Sequence, residues 1–577
     1  MHEHEESEGS QGAEDSVAAR HGRRTVATKL EEYDLQTVSE GKSQRQVAAE
    51  TGIPRTTLQH WLGRRGNLEA SPRAVAFFES PEGVAFLHSF VVAAHLVMTW
   101  MGPCGIRLVG LLIELTGLGP FIASSYGSQQ RLSVEIQAAL AEFGAEERSR
   151  LAASMERKKT TVCEDETSLS EDICLVAMEP VSNFILLEEY AEKRDTATWD
   201  AALGAATRGL DVDVVQSTSD EAAALLSHAE SLGATHSPDL FHVQHEVGQA
   251  MALSLLARET RVHEVHERAK SEVGKQLEAE RAFWEVPRGP GRPPNFAKRI
   301  REAREAEEEE EEEAVGLLDQ AAEHRFLWRS ALHGIERAYH PFDLATGAPR
   351  PAAQVDEDLC RWFDQLDIIA TETGLSQASK GHLAKARRVV PKMIATIGFF
   401  HDQVQRRVET LGLPSDQEEL LLFNLIPAAY LQRVAVKTQD RNRKAEIRKT
   451  LDELLSTSLF PGTFAASRAH HQRRALEKAA YACADVFQRS SPCLEGRNGR
   501  LAQFEHAMRR LHPKKRTGLT VIHNYFAKRP DGTTAAERFF GAPPRDLFTW
   551  LVDRLTPPPR PASPRRSSEK LCLFKPV

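Results

Sequence analysis

The stretch TTVCEDETSLSEDICLVAMEPVSNFILLEEY, residues 160–190, decides how the fold is read. TTVCEDE, DICLVAM and NFILLEEY are short apolar runs separated by the turn-like SLSE and EPVS. Runs of this length, rich in Val, Ile, Leu and Phe and bounded by turn residues, read as three consecutive strands. The first carries Glu164, Asp165 and Glu166 side by side. Adjacent like charges repel, and an inward carboxylate is desolvated unless something compensates it. Strand alternation puts Asp165 on one face and Glu164 and Glu166 on the other. Asp165 is therefore the candidate for a metal face, and the two glutamates are expected to meet solvent or nearby basic residues.

Downstream, Thr196–Leu210 reads as a helix and VDVVQSTS (212–219) as a fourth strand. DEAAALLSHAESLG (220–233) is a helix ended by Gly233, and ATHSPDLFHV (234–243) opens with a short fifth strand. The order β-β-β-α-β-α-β implies a mixed sheet with helices packed on it. From His245 to Ser490 only helical periodicity and linkers follow, the linkers being EVPRGPGRPPNF (285–296) and HPFDLATGAPRPAAQ (340–354). That is far too long for a loop, so a large all-α domain is inserted into the sheet domain.

The expected organisation is multidomain. Residues 1–23 form a disordered acidic tail, 24–66 a helix-turn-helix, and 67–159 a helical DNA-binding or linker region. Residues 160–250 are the first part of the α/β core, 251–480 the helical insertion, and 481–556 the second part of the core. Residues 557–577 are a basic, Pro-rich, disordered tail.

The composition is that of an ordinary globular chain, with 27% charged residues among 577 and a net charge of −9. The acid is concentrated in the first fifteen residues and in Glu307–Glu313, so the overall charge does not argue against polyanionic partners. Glu307–Glu313 reads as a solvated helical face. Seven cysteines are scattered without CxxC spacing, which argues against a zinc site or a disulfide framework and suits a reducing cytosol. The acidic N-terminus is unlike a signal peptide. Gly83–Ile106 is the most apolar window, but His88, His95 and a Gly-Pro break make it buried helix rather than membrane span.

KLEEYDLQTVSEGKSQRQVAAETGIPRTTLQHWLGRR (29–65) carries the helix-turn-helix pattern. Ser43 caps a helix with Val47 and Ala48 inward, and Gly52 supplies the turn. Pro54 opens a second helix that buries Leu58 with Trp61 or Leu62. Arg55, Thr56, Thr57, Gln59 and His60 then point outward at a recognition-helix N-terminus, with Arg64 and Arg65, and Arg23 and Arg24, available for phosphate. RGPGRPP (288–294) resembles an AT-hook with Arg292 as the inserted side chain, but a Pro-rich linker with incidental arginines is the favoured reading.

Three acids sit at positions where chemistry is expected. Asp165 lies in the first strand, Asp220 follows the fourth, and Glu495 lies in the first turn of a helix opened by Ser491 and Pro492. Carboxyl ends of strands are where open α/β sheets place their sites. Each acid also has a plain structural reading, Asp220 and Glu495 as helix-end acids and Asp165 as a surface strand acid.

Taken together, VCEDETSL, VVQSTSDEAAALL, SPDLFHVQHEV, PCLEGRNGRL and GLTVIHNYFAKRPDGTTAAERFFG resemble bacterial insertion-sequence transposases of the DDE class. The resemblance covers roughly residues 160–245 and 480–541. It implies a ribonuclease-H-like core in which Asp165, Asp220 and Glu495 converge on two Mg²⁺ or Mn²⁺ ions. Asp239, His242 and Asn498 would support them, and Arg497 and Arg500 would meet phosphate. It further implies cleavage and 3′-hydroxyl strand transfer on double-stranded element ends and target DNA. The protein would act as a dimer or larger assembly, in the bacterial cytoplasm at the nucleoid, without membrane association. The long Asp220-to-Glu495 span departs from the simplest members and leaves Glu409 and Glu419 as rivals for the third acid. The alternative is a catalytically inactive or domesticated relative that keeps sequence-specific DNA binding. A regulator built on the helix-turn-helix alone gives no reason for Asp165, Asp220 or AAERFFG.

Overall fold

A computed structural model describes residues 21–169, 172–286, 292–457 and 466–561. The acidic tail up to residue 20, most of RGPGRPP and the basic tail from residue 562 lie outside them. The chain is mostly helical around a single mixed sheet of five strands, in the order β3-β2-β1-β4-β5.

β1 (Lys158–Leu169), β2 (Asp172–Glu179) and β3 (Phe184–Ala191) form an antiparallel meander, with Asp165 opposite Val176. Their short apolar runs leave only turn chemistry between them, and Asn183 takes φ 61° in the β2–β3 turn. β4 (Val212–Ser219) and β5 (Thr235–Pro238) run parallel to β1, with Cys163 opposite Thr218. Parallel pairing needs crossovers. α8 (Thr196–Thr207) and α9 (Ala223–Ser231) provide them. The C-terminal ends of β4 and β5 and the Asp165 end of β1 thus share one edge of the sheet.

Four helices after the N-terminal unit lead into the sheet. α4 is Pro72–Phe78, α5 is Pro81–His95, α6 is Ile106–Leu115 and α7 is Tyr126–Ala152, and α5 continues as a π-helical segment, Leu96–Met101. Leu87, Val91, Leu140 and Phe143 belong to the same core as Val162, Val176 and Phe184. Residues 67–159, expected from sequence as a helical DNA-binding or linker region, thus share the sheet's core. Apolar periodicity shows that a helix has a buried face, but not which element covers it.

The insertion starts with a long helical hairpin, α10 (Leu240–Glu285) and α11 (Phe296–Ala338). It continues through α12 (Ala352–Glu372), α13 (Gln377–Arg387), α14 (Val390–Leu411) and α15 (Ser415–Leu420). A π-helical turn, Leu421–Leu425, leads into α16 (Ile426–Lys437), followed by α17 (Arg441–Thr457) and α18 (Ala466–Ala484). Val247, Ile335, Phe363, Phe400 and Leu431 form a core of its own, as an inserted domain requires. The expected 340–354 linker is an ordered turn around Asp343, whose Oδ1 accepts from Ala345 N and Thr346 N, both at 2.9 Å.

The chain then returns to the sheet. α19 (Pro492–Met508) and α20 (Pro513–Val521) lie against β1–β3, and α21 (Ala535–Phe540) and α22 (Leu547–Arg554) complete the body. In the DGTTAAERFFG block, Thr534 caps α21, Arg538 donates to Ser182 O at 2.7 Å, and Phe539 stacks on Phe184 at 4.5 Å. The block is a clamp on the β2–β3 turn.

At the N-terminus, α1 (Arg23–Ser39), α2 (Gln44–Thr51) and α3 (Arg55–Gly66) form the expected trihelical unit around Val26, Leu30, Ile53, Leu58 and Trp61. Ser43 and Gln46 make a reciprocal capping box, and Gly52 has φ 67°. Residues 557–561 are ordered, against expectation. Ala123 N donates to Pro559 O at 2.9 Å, and Arg560 pairs with the buried Glu79. Two helical stretches, Pro81–Met101 and Ser415–Lys437, are long and apolar enough to cross a membrane by length and composition, and half or more of each apolar window is buried against protein.

Candidate active site

The end of β1 places Asp165 at the C-terminal sheet edge, with Asp220 just beyond β4 and Asp239 just beyond β5. His242 follows in the first turn of α10. Ser219, Asp220, Glu221, Asp239, His242 and Lys385 line a cavity of about 210 Å³ there, between the sheet edge and the insertion.

Asp165 is largely buried, and desolvation pushes its pKa up to about 6, with Asp220 and Asp239 adding to the rise. The Glu166 backbone N–H and nearby His242 oppose it. Its Oδ1 accepts from Glu166 N at 2.9 Å and its Oδ2 from Asn498 Nδ2 at 2.8 Å. Asn498 lies one turn beyond Glu495 on α19, so the helix predicted to bring the third acid does pack onto the first. The Glu495 carboxyl is also raised, by burial and then by Asp239, with His242 opposing. Asp239 and His242 are thus neighbours that Asp165 and Glu495 share.

Asp220 does not cap α9, which starts at Ala223. Its Oδ1 instead accepts from Ala222 N at 3.0 Å in a tight turn. Asp239 is structural as well as central. It caps α10 through Phe241 N at 2.8 Å, and its Oδ2 accepts from the Ser491 hydroxyl, tying β5 to the start of α19.

Among the described residues, no group of three or more His, Cys, Asp or Glu is drawn together closely enough to hold an ion. Asp165, Asp220 and Glu495 are not drawn into one such group here. Asn498 and the Glu166 amide occupy the Asp165 carboxylate, and Glu495 remains exposed at the rim. The donor chemistry nevertheless suits an oxygen-preferring divalent cation. The buried Oδ1 of Asn498 and Oε1 of Glu221 lack hydrogen-bond partners at the same edge.

On the opposite face of β1, both glutamates meet basic residues, as expected, but Glu164 does so in the interior. Glu164 is buried, accepts from Ser217 Oγ at 2.5 Å and lies 3.3 Å from His228 Nε2, while His228 Nδ1 meets Asp200. Burial works against protonation of His228, but Glu164 and Asp200 outweigh it and raise its pKa. Glu166 accepts from Trp199 Nε1 at 3.2 Å and faces Arg194 at 3.4 Å. Glu164 is thus neutralised by an interior histidine, which alternation along a single strand cannot show.

The expected DNA contacts divide. Arg55, Thr56, Gln59 and His60 are exposed on α3 and Thr57 is half-buried. Arg64 donates to Pro561 O at 3.0 Å and Arg65 pairs with Asp34 at 2.5 Å, so both are engaged within the chain. Arg292 is exposed. Arg497 is the clear correction. It is 3% exposed and clasps Glu188 through two bonds of 2.6 Å, from Nε and Nη2, so it turns inward and not toward a phosphate in solvent. Arg500 is held to Met101 O. Sequence reading missed Glu221, Glu246 and Lys385 at the cavity, because the insertion supplies the partners Lys392, His382 and Lys385 from far along the chain.

Residues 421–568 match the model of a family of unknown function, DUF6399. The match includes α19 and the AAERFFG block and leaves out the strands carrying Asp165 and Asp220. A comparison with curated proteins finds no match.

Proposed function

We propose that the protein is a DNA transposase of the DDE class, built on a ribonuclease-H-like core, that performs metal-dependent strand cleavage and 3′-hydroxyl transfer. The observation that carries this reading is topological. An antiparallel β1–β2–β3 meander is continued by β4 and β5 parallel to β1, with Asp165 and Asp220 at neighbouring strand ends and the Glu495 helix packed across β1. Helical packing of the inserted domain against the same edge accounts for the long Asp220-to-Glu495 span.

Asp165, Asp220 and Glu495 would hold a pair of Mg²⁺ or Mn²⁺ ions. Bound there, the ions would activate water or a 3′-hydroxyl and stabilise the leaving oxygen. Asn498 orients the Asp165 carboxylate from the Glu495 helix, and release of that bond frees an oxygen lone pair. His242 supplies the partial positive charge that opposes the rise in both raised carboxyls. The exposed residues of α3 are the groove-reading surface, and double-stranded element ends and target DNA are the partners. The protein would act as a dimer or larger assembly.

Incubation with labelled DNA taken from the sequences on either side of the gene, with Mg²⁺ or Mn²⁺, tests this. A 3′-hydroxyl product that disappears in Asp165→Ala and Asp220→Ala is the expected result. Equal cleavage by Asp165→Ala would sink the assignment, and binding without product under either metal would leave a DNA-binding protein only.

A further inference from the structure

A second cavity, of about 700 Å³, opens beside the β2–β3 turn, between α16, the start of α17 and the start of α19. Arg433, Lys437, Arg443, Arg489 and Arg529 line it, against three acids, Glu336, Asp440 and Asp485. Two of the acids, Asp485 and Glu336, are paired with arginines, and Asp440 caps the backbone at Arg443. Asp485 takes both nitrogens of Arg433 at 2.7 and 2.9 Å. Arg443 and Arg489 share Glu336 at 3.0 and 3.6 Å. Asp440 Oδ1 accepts from the Arg443 backbone N at 2.8 Å.

Two cations are left over. Among the described residues, neither Lys437 nor Arg529 makes an ion pair. Lys437 Nζ reaches only Gln488 Oε1, at 3.5 Å, and Arg529 Nη1 donates to Val181 O at 3.2 Å. Arg443 Nη2 is buried without an acceptor. The interior behind is electropositive as well: His340 is held well below its ordinary pKa by burial and then by Arg489 and Arg443. Lys437 is exposed and Arg529 half-buried, so both are within reach of an anion entering from solvent and can give it charge-assisted hydrogen bonds. Tyr430 and Phe487 add an aromatic wall, and the volume suits a small organic ligand.

We propose that this cavity is an anion site for a phosphorylated ligand, with phosphate seated between Lys437, Arg443 and Arg529. The chemistry required is a phosphate of two or more charges, from a free nucleotide-like molecule or from a DNA backbone. The site does not rest on the transposase reading.

The test is calorimetric titration of the full chain with inorganic pyrophosphate, followed by competition with a short DNA duplex. Wild type should bind pyrophosphate, and Lys437→Gln and Arg529→Gln should each weaken it by about tenfold, the size of one charge-assisted contact. The two positions lie on separate segments, so a folding defect in one variant leaves the other informative, with thermal melting of each unliganded variant as the control. Displacement by duplex assigns the backbone as the source, and bound pyrophosphate that duplex does not displace assigns a free small anion. Absence of pyrophosphate binding, or binding that neither variant weakens, overturns the proposal.

Discussion

Asp165 on β1 and Glu188 on β3, with β2 between them, handle a desolvated carboxylate in opposite ways. Asp165 meets other acids, and its pKa is raised to about 6. Its unfolded value is near 3.8, so the native state binds the extra proton between these limits and stability falls as pH rises from about 4 to 6. Asp165→Asn is therefore expected to stabilise the metal-free fold at pH 7.5 by about 2–3 kcal/mol, with the gain vanishing below pH 4, measured by denaturant titration across pH. Glu188 is fully buried, but Arg497 and Thr520 more than offset desolvation and its pKa is lowered. Its contribution is present at neutral pH and is lost as pH falls below the ordinary glutamate range. Removing one partner strands the other charge, so Glu188→Gln should cost about 3–5 kcal/mol at pH 7. A loss under 1 kcal/mol in urea unfolding would contradict the buried pair.

At the scale of elements, α20 and the π-helical segment Leu96–Met101 meet through Trp100. Lys515 Nζ lies 3.3 Å from the Trp100 ring centroid and donates to Thr99 O at 2.6 Å. A Cβ on Gly518 would fall 2.3 Å from Trp100 Cζ3, which real contacts do not allow. Gly518→Ala is expected to lower the melting temperature by several degrees, consistent with an overpacking cost of about 1–3 kcal/mol, and Trp100 fluorescence should change with it. An unchanged melting point would mean that the two elements do not pack so closely. Such a glycine is invisible as a requirement in sequence, because the clash comes from a residue more than four hundred positions away.

At the scale of the whole molecule, Glu79 joins three regions. It is 1% exposed and pairs with Arg560 of the C-terminal segment and with Arg23 of α1, at 3.7 Å. Burial lowers the Arg23 pKa to about 10 despite that partner. Glu79→Gln leaves two buried guanidiniums facing each other. It should release both the tail and the helix-turn-helix unit, seen as faster limited proteolysis near residues 67–71 and after residue 555. An unchanged digestion pattern would show that α1–α3 are held by other contacts.

The sequence by itself determined the local order of the protein. Short apolar runs bounded by turn residues marked β1–β4, turn chemistry marked α2–α3 through Ser43 and Gly52, and the length of strand-free chain required an inserted helical domain. These signals are short-range, set by backbone preference and by which face of an element must leave water. The tertiary structure alone decided what met what. It placed Asp239 and His242 between Asp165 and Glu495, gave Arg497 to Glu188 rather than to solvent, paired Glu164 with His228, and merged residues 67–159 into the sheet's core. Those outcomes depend on side chains hundreds of residues apart competing for the same buried charge or apolar surface, and that competition is settled only when the whole chain packs.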